Sequence, residues 1–198
     1  MNEELKYTIE KHPWEPFAPA NSRILFLGSF PPPRKRWTME FYYPNKQNDF
    51  WKIMGHILYN DPTHFILKEE KIFNLPLIRN IMAERGIALY DTALEVKRLK
   101  GNASDNYLQI ITPSDIETLL STLPHCHTIA VTGEKAANTL LAPYGATTPA
   151  IGEKTEITIA NRKAEIWRMP STSRAYPLPL EEKATYYRKI LKVAKVIS

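Results

Sequence analysis

The chain has 198 residues and a formal net charge of +5, and 43% of its residues are hydrophobic. This composition excludes a mainly disordered chain, because there is enough apolar surface to build a core, and the length suits one compact domain. No apolar run approaches the roughly 20 residues that span a membrane. The single cysteine, Cys126, excludes an internal disulfide framework and any cluster that needs several thiolates from this chain.

The beginning of the chain differs from the rest. Residues 1–21 contain Pro13, Pro16 and Pro19, which predicts an extended N-terminal arm, and residues 22–198 are predicted to form a single domain. The first residues are acidic and polar and do not resemble a signal peptide. We therefore expect a cytoplasmic protein that does not enter a membrane.

Strand and helix signals alternate after the arm. Short apolar runs predict strands at 23–27, 87–90, 128–132, 156–160 and 165–169. Helical spacing predicts helices at 49–59, at 65–84 with a break, after a cap at 112–115, at 134–141 and at 180–196. This alternation predicts a three-layer α/β domain with a mostly parallel sheet. Ligands bind such sheets at the carboxyl ends of the strands, so the loops after Gly28, Thr132 and Met169 are the candidates.

The loop after the first strand is dense in aromatic residues, prolines and amides. Residues 28–51 read GSFPPPRKRWTMEFYYPNKQNDFW. Such a loop predicts a rigid, partly apolar pocket for a flat heterocycle, which would be held by stacking and by hydrogen bonds to its edge. The alternative is a proline-stiffened connection whose aromatic side chains only fill the core.

The loop after the last strand is rich in small hydroxyl residues. Residues 169–177 read MPSTSRAYP. Serine and threonine hydroxyls together with free backbone amides bind phosphate groups. The alternative is an ordinary turn that leads into the last helix.

Together these loops resemble the uracil-DNA glycosylase superfamily, and most closely its hypoxanthine-DNA glycosylase and mismatch-specific (G:T/U) branch. The resemblance covers about residues 22–195 and depends on GSFP at 28–31, FYYP at 41–44, NDFW at 48–51 and MPSTSRA at 169–175. It implies an α/β/α sandwich around a central, mostly parallel four-stranded sheet.

The resemblance also implies a function. The chain would be a monofunctional DNA glycosylase, acting as a monomer on damaged or mismatched DNA without a cofactor or metal. It would flip uracil or hypoxanthine out of the helix and hydrolyse the N-glycosidic bond in base excision repair. Two alternatives stay open: a weakly active or inactive module of the same fold that binds nucleic acid or nucleotides, and an enzyme that acts on free nucleosides.

The resemblance carries the catalytic role onto Asn48. The water-activating aspartate of the best-known uracil enzymes has no counterpart in the first loop, and the hypoxanthine branch shares this absence. Asn45 is a rival, because the segment 44–48 is slightly longer than the family pattern. Asn48 could equally serve only as the N-cap of the following helix.

The remaining site residues follow from the same comparison. The predicted contacts to the base are Gly28, Ser29, Phe30, Phe41, Tyr43 and Phe50, with Phe41 or Tyr43 stacking on it. The predicted contacts to DNA are Ser171, Thr172, Ser173, Arg174, Tyr176, Arg34, Lys35 and Arg36. Arg174 or Tyr176 would fill the space that the flipped base leaves. The basic face of the last helix would add to the field unless it is only a solvated surface; it carries Lys183, Arg188, Lys189, Lys192 and Lys195.

Two further groups have alternative interpretations. Asp91 ends a predicted strand and could either orient a loop or position a water molecule. The triplet His125, Cys126 and His127 precedes a buried strand and has no second ligand cluster, so it is interpreted as structural and no metal site is predicted.

Overall fold

A computed structural model describes residues 8–100 and 105–198. Residues 1–7 of the predicted arm, and 101–104, lie outside the described residues. The strands are β1 Ile9–Lys11, β2 Ile24–Gly28, β3 Ile66–Leu67, β4 Ile72–Phe73, β5 Ile87–Asp91, β6 Ala93–Arg98, β7 Leu108–Pro113, β8 Thr128–Thr132, β9 Lys154–Ile159 and β10 Arg162–Met169. The helices are α1 Phe50–Tyr59, α2 Leu75–Glu84, α3 Ile116–Ser121, α4 Glu134–Leu141 and α5 Leu180–Val193.

The central sheet has the strand order β5-β2-β8-β10-β9. Strands β5, β2, β8 and β10 are parallel, as predicted, and every residue of β2, β5 and β8 is buried. The sheet has five strands rather than four, because β9 pairs antiparallel with β10 at the edge. Ala160 and Asn161 join these two strands with φ angles of 51° and 57°, the left-handed backbone that a two-residue hairpin turn requires.

A second, antiparallel sheet was not predicted. It has the order β1-β6-β7, and β1 comes from the N-terminal arm. The expected helix cap at Thr112 and Pro113 is wrong, because both residues end β7. Helix α3 is capped by Asp115 instead, whose side chain accepts a hydrogen bond of 2.9 Å from the amide of Thr118. The predicted broken helix at 65–84 is a short β3-β4 hairpin followed by α2.

Helices cover both faces of the central sheet. On one face, Phe26 of β2 contacts Phe50 of α1 and Tyr187 of α5. The chain moves from β2 outward to β5 and then back past β2 to β8, so right-handed crossovers place α3 and α4 on the opposite face. The direction of the connections reverses between β2 and β8, which is where an open parallel sheet forms a crevice for ligands.

Two further observations concern the described residues only. Within residues 8–100 and 105–198, no helix is both long enough and apolar enough to cross a membrane. Cys126 is buried, and this burial raises the pKa of its thiol to about 12, so the group stays protonated at neutral pH.

Candidate active site

A cavity of about 660 Å³ lies at the carboxyl edge of the parallel strands, where the crevice is expected. Its walls come from the loop after β2 and the loop after β10, and its floor comes from the ends of β2, β5 and β8. The lining residues are Gly28, Ser29, Phe30, Pro31, Pro32, Arg36, Tyr43, Pro44, Asn45, Gln47, Asn48, Asp91, Asp105, Asn106, Thr132, Ser171, Thr172, Ser173, Arg174, Ala175, Tyr176 and Pro177. The size suits a small planar ligand.

The loop after β2 is held by its own hydrogen bonds. The indole nitrogen of Trp37 donates to the carbonyl of Pro32 at 2.7 Å. The amide and the hydroxyl of Thr38 both donate to the carbonyl of Pro44, at 2.9 and 2.8 Å. These bonds close the loop around residues 38–44 and keep its shape without a ligand.

Tyr43 is one of two aromatic side chains of this loop that line the cavity, and Phe30 is the other. Its backbone has a φ of 51°, a strained conformation for a bulky residue that often marks a functional position. Its hydroxyl lies 3.1 Å from the hydroxyl of Thr132, which in turn lies 3.3 Å from the carbonyl of Leu27. Burial and the charge of Asp91 raise the pKa of Tyr43, so the phenol stays neutral.

Two of the predicted base contacts, Phe41 and Phe50, do not reach the cavity. Phe41 is 3% exposed and packs edge-on against Phe17 and Tyr42 in the core. Phe50 is fully buried and stacks on Tyr43, with ring centroids 3.9 Å apart and an interplanar angle of 11°. The structure therefore corrects the assignment of Phe41 and Phe50 as base contacts: both support the wall, and Phe50 fixes the ring plane of Tyr43.

Asn48 lines the cavity through a tight turn. Its Oδ1 accepts a hydrogen bond of 2.9 Å from the amide of Phe50, and the residue forms an isolated antiparallel bridge with Ser173. The N-cap position of α1 belongs to Asp49, not to Asn48 as predicted. With Oδ1 engaged by the backbone, the Nδ2 group is the part of the amide that can donate to a ligand. Asn45, the rival, makes a similar turn in which its Oδ1 accepts from the amide of Gln47 at 2.9 Å.

A buried lysine joins the two walls. Lys183 of α5 is 1% exposed, and its Nζ donates to Oδ2 of Asp49 at 2.8 Å and to the carbonyl of Ser173 at 2.9 Å. The amide of Asp49 also donates to the carbonyl of Thr172 at 2.8 Å. The ammonium group therefore fixes Asn48 and the loop after β10 relative to each other. Lys183 was predicted to lie on the basic outer face of the last helix, and that prediction is wrong.

The loop after β10 presents hydroxyl groups at the rim of the cavity. The Oγ atoms of Ser171 and Ser173 accept from the amides of Ser173 and Ala175 at 3.2 and 3.3 Å. Their own hydroxyl protons remain available to an acceptor such as a phosphate oxygen. Thr172 is only 2% exposed, so its contribution is largely structural, whereas Arg174 is exposed and Tyr176 is half-buried at the same rim.

The predicted basic residues are divided between two regions. Arg34, Lys35 and Arg36 form one exposed turn of 3-10 helix, but only Arg36 lines the cavity, and Arg34 is paired with Glu40 at 2.7 Å. The C-terminal end of α5 leads to the amino ends of the strands, opposite the cavity. The guanidinium of Arg23, next to the start of β2, donates to the carbonyl of Lys195 at 2.9 Å.

The acidic residue Asp105 also lines the cavity, and it was not predicted. Asp105 accepts a hydrogen bond of 2.7 Å from the hydroxyl of Ser29, and desolvation at the cavity wall raises the pKa of its carboxyl. It also lines a second cavity of about 460 Å³ next to the first. Its role could not be found from the sequence, because no local pattern links residue 105 to residue 29.

Asp91 ends β5 and lies beside Gly28 at the floor of the cavity. Its side chain is 8% exposed, and Oδ2 accepts from Nε2 of His12 at 2.9 Å. A Cβ atom at Gly28 would lie 2.3 Å from Oδ1 of Asp91, so a side chain at this position would displace the carboxylate. His12 belongs to the N-terminal arm, and its proximity to Asp91 depends on the pairing of β1 with β6.

The first loop is tied to the antiparallel sheet by Arg98. Its guanidinium donates to the carbonyl of Pro31 at 2.5 Å, lies over the ring of Phe30 and pairs with Glu10 of the arm at 2.9 Å. Phe30 itself lines the cavity. The arm and β6 thus support the wall of the site, a role that composition gave no means to predict.

Neither a family model nor a curated protein matches this sequence. The fold is similar to the solution NMR structure of a "putative Uracil DNA glycosylase" from Methanosarcina acetivorans, with a TM-score of 0.64 and 22% sequence identity over 95% of this chain and 99% of that one. The chain therefore has an α/β fold with a mostly parallel five-stranded sheet, of the kind found in that protein.

Proposed function

We propose that this chain is a DNA glycosylase of the uracil-DNA glycosylase superfamily, which excises uracil or hypoxanthine from damaged or mismatched DNA in base excision repair. The observation that carries the proposal is the cavity itself. One wall offers the ring of Tyr43 and the amide of Asn48, the other offers hydroxyl groups of Ser171 and Ser173, and Lys183 joins the two walls. The similarity of the fold supports the same conclusion.

The two walls suit the two parts of a flipped nucleotide. The base would enter between Tyr43 and the backbone of Gly28, Ser29 and Phe30, where stacking contributes about 1–3 kcal/mol. The flanking phosphates would contact the hydroxyl groups and Arg174, and the nonspecific field would come from residues 34–36. Flipping costs a few kcal/mol and is cheapest for a mispaired base, which provides part of the selectivity.

In the proposed reaction the bond between C1′ and the base nitrogen breaks. The sugar gains positive charge and the departing base gains negative charge, so hydrogen-bond donors aimed at the base lower the barrier. Asn48 presents its Nδ2 group to the cavity while Oδ1 is held by the backbone. We propose Asn48 as the catalytic residue that donates to the departing base.

The test is cleavage of oligonucleotide duplexes that carry uracil, hypoxanthine or a G·T mismatch, followed by alkaline cleavage of abasic sites. We expect scission with the wild type and a loss of about 10²-fold with Asn48→Ala, which removes the donor without adding a carboxylate. Asn45→Ala tests the rival, and Asn21→Ala, at the opposite edge of the sheet, is the matched control.

Three other outcomes would contradict the proposal. Full activity of Asn48→Ala would refute the assignment of that residue. Salt-dependent binding of DNA without scission of any substrate would identify a binding module instead. Hydrolysis of free nucleosides alone would identify a nucleoside enzyme, because the phosphate-binding rim would then be unused.

A further inference from the structure

Asp91 is a carboxylate at the floor of the cavity. It lies at the carboxyl end of β5, at the floor of the cavity, next to Gly28. One oxygen, Oδ2, is held by His12 at 2.9 Å. The other, Oδ1, has no hydrogen-bond donor among residues 8–100 and 105–198, and it is the oxygen that approaches Gly28 most closely.

The hydrogen bond that holds the Asn48 side chain favours a different residue as the acceptor for the water. Its Oδ1 already accepts from the amide of Phe50, so Nδ2 is the group of the side chain that carries no such bond. A water molecule that attacks carbon must give up a proton, and therefore needs an acceptor. Among the residues of the cavity floor, Asp91 provides one.

We propose that Asp91 is a further catalytic residue, which orients and deprotonates the attacking water, and that His12 of the N-terminal arm is its positioning residue. This inference rests on the glycosylase function proposed above. Asn48 acts on the departing base and Asp91 acts on the water, so the two residues serve opposite sides of the same bond.

The proposed step balances as a hydrolysis. The water oxygen forms a bond to C1′ of the sugar while the bond from C1′ to the base nitrogen breaks. The electron pair of the broken bond leaves with the base as an anion, and the water proton passes to Oδ1 of Asp91. The base anion is then protonated by solvent, and Asp91 loses its proton to solvent, so the products are a free base and an abasic sugar.

His12 is held in a way that suits a positioning role. Its side chain has no exposed surface, and its Nδ1 lies 2.8 Å from the carbonyl of Trp14. The ring is surrounded by Trp14, Phe30, Tyr42 and Tyr90, with centroids 5.1 to 6.0 Å away. The imidazole therefore cannot swing away from Oδ2, and it leaves Oδ1 as the oxygen directed at a ligand.

The first test is the single-turnover rate of Asp91→Asn on the duplex that the wild type cleaves best. The amide can still accept from His12, so the arm stays in place while the base is lost. We expect a decrease of about 10²–10⁴-fold in rate, with unchanged binding of an abasic-site duplex. Asp61→Asn, in a turn far from the cavity, is the matched control and should keep the wild-type rate.

A second variant guards against a folding defect. Asp91→Ala creates space beside Gly28, and added sodium formate should raise its rate but not that of the wild type. An Asp91→Asn rate within about threefold of the wild type, or an Asp91→Ala rate that formate does not change, would overturn the inference. A wild type that cleaves no substrate would refute the proposed function. An active wild type with an equally active Asp91→Asn would refute only the role of Asp91, so the two failures are distinguishable.

The role of His12 is tested by separating turnover from binding. We expect His12→Phe to lower kcat by about tenfold with an unchanged KM, since the substrate does not touch the ring. His12→Gln can still donate to Asp91 and should recover most of kcat. His64→Phe, a histidine stacked on Tyr59 away from the cavity, is the control. Equal kcat in His12→Phe and wild type would overturn the positioning role.

Discussion

Replacement of Lys183 by methionine tests whether one buried ammonium holds the two walls of the cavity together. Methionine keeps the unbranched shape of the side chain and its helix propensity but is one atom shorter, and it cannot donate to Asp49 or to the carbonyl of Ser173. Removing one partner of a buried ion pair costs about 3–5 kcal/mol. The Asp49 side chain keeps 12% of its surface exposed and has Lys52 at 3.6 Å, so we expect the lower end, about 3 kcal/mol.

The assay is urea denaturation at neutral pH, supported by thermal melting. For a domain of this size, about 3 kcal/mol corresponds to a decrease of roughly 6–12 °C in Tm. The matched control is Lys192→Met on the exposed surface of the same helix, which should stay within about 0.5 kcal/mol of the wild type. If Lys183→Met is no less stable than that control, the ion pair does not hold the walls together.

A double-mutant cycle isolates the pair. When Asp49→Asn is combined with Lys183→Met, the group left without its partner is a neutral amide. An amide costs less to bury than a carboxylate. The double variant should therefore be more stable than the sum of the two single effects predicts, by about 1 kcal/mol or more. Strict additivity would show that Lys183 acts through packing and not through its charge.

Three further outcomes are expected. Phe41→Ala should lower the free energy of unfolding by about 3–5 kcal/mol, measured by urea denaturation, without weakening DNA binding by the folded protein; a loss in binding alone would return Phe41 to the site. The pKa of Asp105 is raised in the folded state, so its carboxyl favours folding only when protonated. The Tm of the wild type minus the Tm of Asp105→Asn should therefore fall as the pH rises from about 4. A difference in Tm that stays constant up to pH 8 would contradict the raised pKa. Arg174→Ala should weaken DNA binding and lower the magnitude of the slope of log affinity against log salt concentration by about 1. Lys192→Ala should leave that slope unchanged. Equal effects of the two substitutions would show that the rim of the cavity is not the DNA surface.

The parallel core of the fold was predictable, because its strands are short apolar runs that end at turn residues. The runs at 24–28, 87–91 and 128–132 are all fully buried in the structure. The second sheet has only three buried residues in its strands, two in β6 and one in β7, and β1 pairs with β6 across 84 to 88 positions of the chain. Local patterns carry no information about such partners, so this sheet and its link to the arm were missed.

The same limit applies to the site. Its two loops were located from the rule for parallel sheets and from their composition, and both line the cavity. Composition did not distinguish Tyr43, which lines the cavity, from Phe41, which does not, because the left-handed backbone at Tyr43 has no signature in the sequence. The pairs His12 with Asp91 and Asp49 with Lys183 join residues separated by 79 and 134 positions, so no spacing in the sequence could reveal them.

The two edges of the central sheet are protected from neighbouring molecules in different ways. At one edge, β9 carries Lys154 and Glu156 on its exposed side, and charges of this kind disfavour pairing with a strand from another molecule. At the other edge, Phe17 of the arm exchanges hydrogen bonds of 3.0 and 2.8 Å with Leu89 of β5. The arm thus occupies backbone groups that would otherwise be a template for self-association, so a shortened chain without it would gain a route to aggregation as well as an altered cavity.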